Sequence, residues 1–542
     1  MARKRRLLPS IRAAALVAVA VLAGPAVAQA LDFEVSGYDR LRYRYIHDTS
    51  IRPAAKSPAR SANTEFLDHR LMLNPVLTVT DSIKLKAQFR IFQDVLTQDV
   101  SPDSAFIVPG DPSIFHGSDY FDNVDREGKP IDEFVIERLW AEVTTPFGRF
   151  DFGRQGSHWG MGILANAGNE IKWLWDGQGD DFGLTVDRIR FTTRLGEAGP
   201  YVVTIFDRIA ERGNVGGLQL ANTLVPSDPA LGGIDTGKDD VNQWVLALYH
   251  PFGAADEDLE GAVGTYLVLR DQSGTDSRAY IQDLYGKLRY RWLTLTTEWV
   301  WVEAEATVVD RSPITGGRID INATQYAGVA RMDIDGEIGR MGAGFRAEVG
   351  IASGPSSREF RSPIEGGNSA LLGTRLDQFA FWSPDYDIDM ILFDEILGKI
   401  SNATYLRLVA HLQPAPKWET YVAAVFSRAL ERLTIVDRND IDVDNFFVED
   451  DENTDTGQIP FRRFYSREGK RDYGWELNGG VSWQPLKNFK VEVEGAVFFP
   501  GDVFNNTLTG ATLAGPTGIV QPVKFRDGDP IYAISTQMAI MF

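Results

Sequence analysis

The sequence predicts an all-β chain that closes into a single antiparallel barrel of about 18 strands. The first observation behind this prediction is a period of two, as in Ile83-Lys84-Leu85-Lys86-Ala87, where apolar and charged residues alternate. A strand directs successive side chains to opposite faces, whereas a helix would spread this pattern around its whole circumference. The second observation is that short turns and long polar stretches alternate along the chain.

The N-terminal 30 residues have the composition of a secretory signal peptide. Residues 2–6, Ala-Arg-Lys-Arg-Arg, form a basic n-region, and residues 13–23 are uncharged and apolar. Ala28-Gln29-Ala30 is a small-residue cleavage pattern. The apolar run is too short for a helix that spans a bilayer. We therefore expect cleavage near Ala30 and one barrel domain over residues 31–542. Because no longer apolar run follows, the mature chain is either a soluble exported protein or a membrane barrel.

The connection lengths favour the barrel. Turns such as Thr80-Asp81-Ser82 and Pro146-Phe147-Gly148 are short, whereas the polar stretches 98–131 and 429–471 are long. Bacterial outer-membrane barrels combine short periplasmic turns, long extracellular loops and an even number of strands. The chain also ends in an alternating strand closed by Phe542, which resembles an outer-membrane recognition signal. The expected strands begin near residues 32, 64, 83, 132, 148, 183, 200, 241, 260, 278, 293, 322, 340, 402, 417, 472, 488 and 529.

Three groups of residues resemble the alginate-export family of outer-membrane barrels. Residues 137–142, 150–155 and 159–160 are similar to a strand-turn-strand "GRQ…G" segment of that family. Residues 381–386, which continue to 391–393 and 402–405, are similar to a loop of that family that leads into a strand. Residues 475–478 with 498–502 are similar to its penultimate hairpin. The resemblance implies an 18-stranded barrel and passive export of a polyanion. Alginate itself does not carry over, since many members have no assigned substrate.

The charged face of the predicted strands is rich in basic residues. If the apolar face meets lipid, this face lines the lumen, where a basic wall would concentrate anions and arginine would bind carboxylates. The alternative is that these residues pair with acids on neighbouring strands and only solvate the lumen. The candidates for the pore lining are Arg40, Arg42, Arg44, Lys84, Lys86, Arg90, Arg154, Arg188, Arg190, Arg194, Lys287, Arg289, Arg291 and Arg407.

Two predicted loops carry further hypotheses. A dense acidic stretch contains Asp440, Asp442, Asp444, Asp450 and Asp451, which could bind a divalent cation. Its spacing fits no EF-hand, so a solvated acidic loop is the preferred interpretation. Residues 387–400 have the pattern of a short amphipathic helix, which would either fold into the mouth of the barrel or lie on its rim.

Composition excludes several other functions. The absence of cysteine excludes disulfides, thiol chemistry and zinc fingers, and the net charge of −20 argues against a nucleic-acid partner. The six histidines form no metal-binding pair, and neither a nucleophile elbow nor a phosphate loop occurs. We therefore expect no enzyme and no cofactor. A barrel hydrolase would require His158 or His411 to meet a serine and an acid in space.

The expected function is a passive outer-membrane channel of a Gram-negative bacterium. It would pass hydrophilic, anionic solutes such as acidic saccharides, as a monomer in contact with the bilayer and its lipopolysaccharide. The alternative from another class is a conduit barrel that surrounds a periplasmic or electron-transfer partner.

Overall fold

The computed structural model shows a closed antiparallel barrel of 18 strands. It describes residues 31–47, 64–100, 134–168, 170–171, 173, 175, 183–209, 241–253, 258–272, 277–309, 318–354, 382–383, 386–397, 400–433, 470–504, 512–514, 520–522 and 530–542. The predicted fold class is therefore confirmed. The signal peptide expected over residues 1–30 lies outside the described residues. No helix in the described ranges is long and apolar enough to cross a bilayer.

Seventeen of the barrel strands follow one another before the last long connection. They are β1 (Asp32–His47), β2 (Thr64–Thr80), β3 (Ile83–Val100), β4 (Phe134–Thr145), β5 (Gly148–Gly156), β6 (Thr185–Arg194), β7 (Tyr201–Ile209), β8 (Val241–Phe252), β9 (Leu259–Gln272), β10 (Ser277–Tyr290), β11 (Leu293–Val309), β12 (Arg318–Ile338), β13 (Met341–Ala352), β14 (Ala403–Ala415), β15 (Trp418–Leu433), β16 (Lys470–Leu486) and β17 (Phe489–Pro500). The strands β18 (Thr512–Ala514) and β19 (Val520–Pro522) form a separate hairpin, and β20 (Ile531–Met541) completes the barrel. Each expected start lies within four residues of the observed one.

The barrel closes where the first strand meets the last. β1 pairs with β20 from Tyr38 opposite Met541 onward. The backbone N–H of Gly37 donates to the carbonyl of Phe542 at 2.9 Å, and the N–H of Phe542 donates back at 3.0 Å. A Cβ atom at Gly37 would lie 2.1 Å from the carbonyl oxygen of Met72, so this seam requires glycine.

The outer face of the barrel is apolar and carries aromatic rings near both strand ends. Trp418 and Trp483 stack at 5.7 Å near the short turns, and Trp475 and Phe499 stack at 4.2 Å near the long loops. Along β20 the buried residues alternate with exposed ones such as Tyr532 and Ile540. This alternation is the one that the sequence predicts for a barrel in lipid.

The inner face differs from the expected charged wall. Near the long loops it is apolar, because two chain segments fold into the barrel and bury it. Nearer the short turns the inner face is polar and charged. The apolar wall residues include Ile205, Val245, Val268, Ile281, Val300, Val302, Ala327 and Val329.

Candidate functional site

One connection crosses the lumen. We call the described residues of the range 157–175, which follow β5, the crossing segment. Near its start, the ring of Trp159 packs at 5.1 Å from that of Tyr266, and Met161 and Ile163 join the apolar core inside the barrel. At its far end, Arg407 of β14 donates to the carbonyl of Trp175 at 2.6 Å. β5 and β14 lie nine strands apart in the 18-stranded barrel, so the segment joins opposite walls.

Cations hold the far end of the crossing segment in place. The guanidinium of Arg346 lies 4.5 Å from the ring centre of Trp175, whose ring also stacks on His411 at 4.4 Å. The ammonium of Lys490 lies 4.4 Å from the ring centre of Trp173. Cation–π contacts of this kind contribute about 0.5–2 kcal/mol each. The far end is therefore attached to the wall by several independent contacts.

A second segment enters the lumen between β13 and β14. We call residues 386–397 the acidic segment, because they hold four carboxylates and no base. Glu476 of β16 accepts hydrogen bonds from the backbone N–H groups of Met390 at 2.8 Å and Leu392 at 3.0 Å. Within the described part of residues 387–400, the helical residues are Leu392–Ile396, which form one π-helical turn. The helix expected over 387–400 is thus mostly wrong, but the segment does fold into the barrel and does not lie on its rim.

The two segments meet inside the barrel, and we call the part of the lumen beside them the constriction. The N–H of Ser383, just before the acidic segment, donates to the carbonyl of Ile163 at 2.7 Å. Arg44 of β1 forms ion pairs with two residues of the acidic segment, Glu395 and, at 3.4 Å, Asp394. This arrangement places an acidic surface against the basic strand β1.

The basic residues predicted on β1 do face inward, together with one that the prediction missed. Arg40 and Arg42 bind the two oxygens of Asp68 at 2.7 and 2.9 Å, and all three side chains are buried. Arg70 of β2 lies directly opposite Arg40 in the register and is also buried. Among these four side chains positive charge is in excess. The alternation Asp68-His69-Arg70 in the sequence could have predicted that Arg70 faces inward, because residues two apart in a strand share a face.

Most other predicted basic residues of β3 and β6 face inward in ion pairs. Lys86 binds Glu142 at 2.9 Å, and Arg90 binds Glu137 at 2.6 Å. Arg188 binds both oxygens of Asp207, and Arg190 binds Asp151 at 2.7 Å. Lys84 and Arg194 are exposed near short turns. The alternative of cross-strand ion pairs therefore describes much of this wall.

Two predicted pore-lining residues lie elsewhere. Arg154 shares the outer face of β5 with Phe150 and Phe152, and its side chain, paired with Asp187 at 2.9 Å, is 49% exposed. The period of two places the neighbouring Asp151 inside and Arg154 outside. Arg291 lies in a tight turn with a φ of 55° and pairs with Asp258 at 3.0 Å. It is therefore not part of the strand wall.

The remaining predicted cations occupy β10 and β14. Lys287 and Arg289 lie near the short-turn end of β10, where Arg289 binds Glu260 at 2.9 Å. Arg407 is buried against the crossing segment. Sequence reasoning missed Arg331, which binds Glu348 at 2.6 Å and donates to the hydroxyl of Tyr386 at 3.0 Å. Its partners are distant in sequence.

The residues of the catalytic and metal-binding hypotheses have the following neighbours in the described structure. His411 contacts Trp175 and lies 3.4 Å from Asp335, and His158 lies beside Asn166. Ser157 accepts a hydrogen bond from Arg188 at 2.9 Å. No group of three or more metal-binding side chains occurs among the described residues. Asp440, Asp442, Asp444, Asp450 and Asp451 lie outside the described residues.

Solved outer-membrane porins have a related architecture. No family model matches the chain, and no curated protein matches it. The resemblance to the alginate-export family thus stays a prediction. OpdK from Pseudomonas aeruginosa is 10% identical, with a TM-score of 0.45 over 94% of this chain and 98% of that one. A BenF-like porin from Pseudomonas fluorescens Pf-5 is 8% identical, with a TM-score of 0.47 over 94% and 99%. OccK8 (OprE) from Pseudomonas aeruginosa is 9% identical, with a TM-score of 0.43 over 94% and 98%.

Proposed function

We propose that the protein is a passive channel of the Gram-negative outer membrane for small hydrophilic anions. An apolar outer belt with aromatic rings near both strand ends supports insertion among lipid and lipopolysaccharide. We include in this proposal secretion by the signal peptide over residues 1–30 and function as a monomer.

The observation that carries the proposal is the arginine cluster beside the constriction. Arg40 and Arg42 bind Asp68, and the buried Arg70 lies opposite Arg40. The partly accessible Arg44 reaches the acidic segment next to them. Charges that line a narrow, weakly solvated passage attract ions of opposite sign strongly. Forked guanidinium donors also match carboxylates. Acidic saccharides, or other carboxylate solutes, are therefore the substrates we propose.

The test is the reversal potential of single channels in a planar bilayer under a salt gradient. We expect anion selectivity, and we expect it to fall by about twofold or more in R44Q and K86Q, since both side chains lie on the inner wall and are partly accessible. R154Q is the matched control, because Arg154 lies on the outer face. Cation selectivity of the unmodified channel would contradict the proposal. A folded barrel without conductance would favour the conduit alternative.

A further inference from the structure

The acidic segment places a carboxylate of the chain itself on an arginine of the basic strand β1. Nη1 of Arg44 forms ion pairs with Glu395 and, at 3.4 Å, with Asp394. A solute with a carboxylate would make the same contact in the proposed channel, because the forked N–H donors of a guanidinium match the two oxygens of a carboxylate. Glu395 therefore occupies the position on Arg44 that such a solute needs.

The neighbouring arginines have a partner of a different kind. Arg40 and Arg42 bind Asp68, which belongs to the wall strand β2, and the side chains of Arg40 and Asp68 are 1% and 0% exposed. The side chains of Arg44 and Glu395 are 15% and 22% exposed. Contact with water weakens the attraction between two charges. The pair of Arg44 can thus exchange its anion with the lumen, whereas Asp68 is a permanent part of the wall.

The strands beside β1 supply no carboxylate at the level of Arg44. Phe66 of β2 and Ser535 of β20 are opposite Arg44 in the register, and neither carries a charge. On the same face, Asp68 of β2 is opposite Arg42. The wall thus neutralises part of the basic strand, and the acidic segment reaches across the lumen to the next arginine.

The backbone that carries Glu395 is held independently of its ion pair. Oδ1 of Asp389 accepts the N–H groups of Phe393 at 3.0 Å and of Asp394 at 3.2 Å. The N–H of Glu395 donates to the carbonyl of Ile391 at 3.1 Å, and the ring of Phe393 is buried in the apolar core. The carboxylate of Glu395 can therefore leave the arginine by rotation about its side-chain bonds while the segment stays in place.

We propose that Arg44 is an exchange site for the carboxylate of a solute. Glu395 binds Arg44 in the absence of solute, rotates away when a solute binds, and displaces the solute when it returns. The inference rests on the proposed channel function and adds a regulation to the same arginine cluster. Passage requires binding that is strong enough to admit a solute and weak enough to release it. A competing carboxylate within the chain shortens the time that a solute stays on Arg44.

The first test measures the binding of galacturonate, a sugar acid with one carboxylate, to the full mature chain folded in detergent. Titration by saturation-transfer NMR gives the dissociation constant of a weak ligand and does not depend on conduction. We expect E395Q to bind galacturonate about threefold or more tightly, because the competing charge is removed. R44Q should bind it more weakly than the unmodified chain, and R44Q/E395Q should show no gain over R44Q. Galactose, which has no carboxylate, should not distinguish E395Q from the unmodified chain.

E142Q is the matched control for the loss of one lumenal charge. Glu142 is a partly accessible acid of the inner wall in an ion pair with Lys86 at 2.9 Å, and it is not part of the acidic segment. E142Q should tighten the binding of galacturonate by less than E395Q does. Heat-modifiable migration on gels verifies that each barrel is folded. R44M, which keeps much of the length of the side chain, replaces R44Q if that variant does not fold.

The second test follows galacturonate in single channels. We expect each interruption of the current by a bound solute to last about threefold longer or more in E395Q, because nothing displaces the solute from Arg44.

The outcomes separate this inference from the channel proposal. Equal binding by E395Q and the unmodified chain overturns the exchange at Arg44 and leaves an anion-selective channel unaffected. The same gain in E142Q, or in E395Q when Arg44 is absent, also overturns it, because the effect then belongs to the general potential of the lumen. A barrel that does not conduct, yet shows a gain that depends on Arg44, rejects the channel but retains the exchange site.

Discussion

Arg188 of β6 and Asp207 of β7 form a bidentate ion pair inside the barrel, with N–O distances of 2.6 and 2.7 Å. Both side chains are buried, and Gln243 and Ser157 complete their hydrogen bonds. Removal of one partner leaves a buried charge without compensation, which costs about 3–5 kcal/mol. D207A should therefore lower the free energy of unfolding by that amount in denaturant titrations of the folded barrel.

The ion pair of Arg154 and Asp187 supplies the matched control for that prediction. It has the same chemistry on the neighbouring strands β5 and β6, but both side chains are about half exposed. Arg154 lies two residues before the loop end of β5, where a charge on the outer face of a barrel changes stability by about 0–1 kcal/mol. D187A should therefore have little effect on unfolding. Equal losses in D207A and D187A would contradict the assignment of the two pairs to opposite faces.

Substitution of Glu476 tests whether the acidic segment limits the flow of ions. In E476A the N–H groups of Met390 and Leu392 lose their acceptor, at about 1–3 kcal/mol for each buried donor left unsatisfied. We expect the acidic segment to leave the wall, and single-channel conductance to rise while the barrel remains folded. E303A removes an exposed acid of the outer face and should leave conductance unchanged. An unaltered current in E476A would show that the acidic segment does not limit flow.

Asp389 makes the acidic segment sensitive to pH. Burial is the main cause that raises the pKa of this carboxyl from 3.8 to about 7, while the N–H groups of Phe393 and Asp394 partly oppose the shift. Between these two values the folded state binds more protons than the unfolded state, so stability falls as pH rises. The free energy of unfolding should thus decrease from about pH 4 to about pH 7 and then level off.

The variant D389N removes this titration. Its contribution to the pH dependence is obtained as the difference in the free energy of unfolding between the unmodified chain and D389N at each pH. This contribution should be complete below about pH 4 and be lost as the pH rises to about 7. Unfolding titrations at four or five pH values measure this difference. A difference that grows with pH would reverse the sign and reject the protonated state of Asp389 in the folded barrel.

The closing seam predicts a strong effect of a small substitution. In G37A the added methyl group would lie 2.1 Å from the carbonyl of Met72. Either β1 moves away from β2, or its pairing with Phe542 is lost. We expect at least about 2 kcal/mol of destabilisation, which is typical of a steric clash in a packed site. G336A, in a position with open space around the glycine, should be tolerated.

The strands could be predicted from the sequence because their period and their turns are local properties. Lys84 and Lys86 alternate with Leu85 whatever the rest of the chain does, and Pro146-Phe147-Gly148 marks a turn by itself. The partners of the charges could not be predicted in this way. Arg188 finds Asp207 only because the register of β6 and β7 places them opposite each other.

The lumenal segments could not be predicted for a different reason. On β11, Trp299 and Trp301 face outward while Val300 and Val302 face inward, so both faces are apolar and the alternation carries no signal. Apolar side chains on the inner wall are stable only when other residues of the chain cover them and exclude water. The residues that do so, such as Met161 and Ile163, lie in a stretch that reads in sequence as an ordinary loop.

The crossing segment has a mechanical consequence for the molecule. It begins at β5 and is bound near β14 through Trp175, so it acts as a brace across the diameter. A cylinder held together only around its circumference flattens under uneven lateral pressure from the surrounding lipid. A tie between opposite walls resists such ovalisation. We expect this brace to reduce changes in the cross-section of the passage as membrane tension varies.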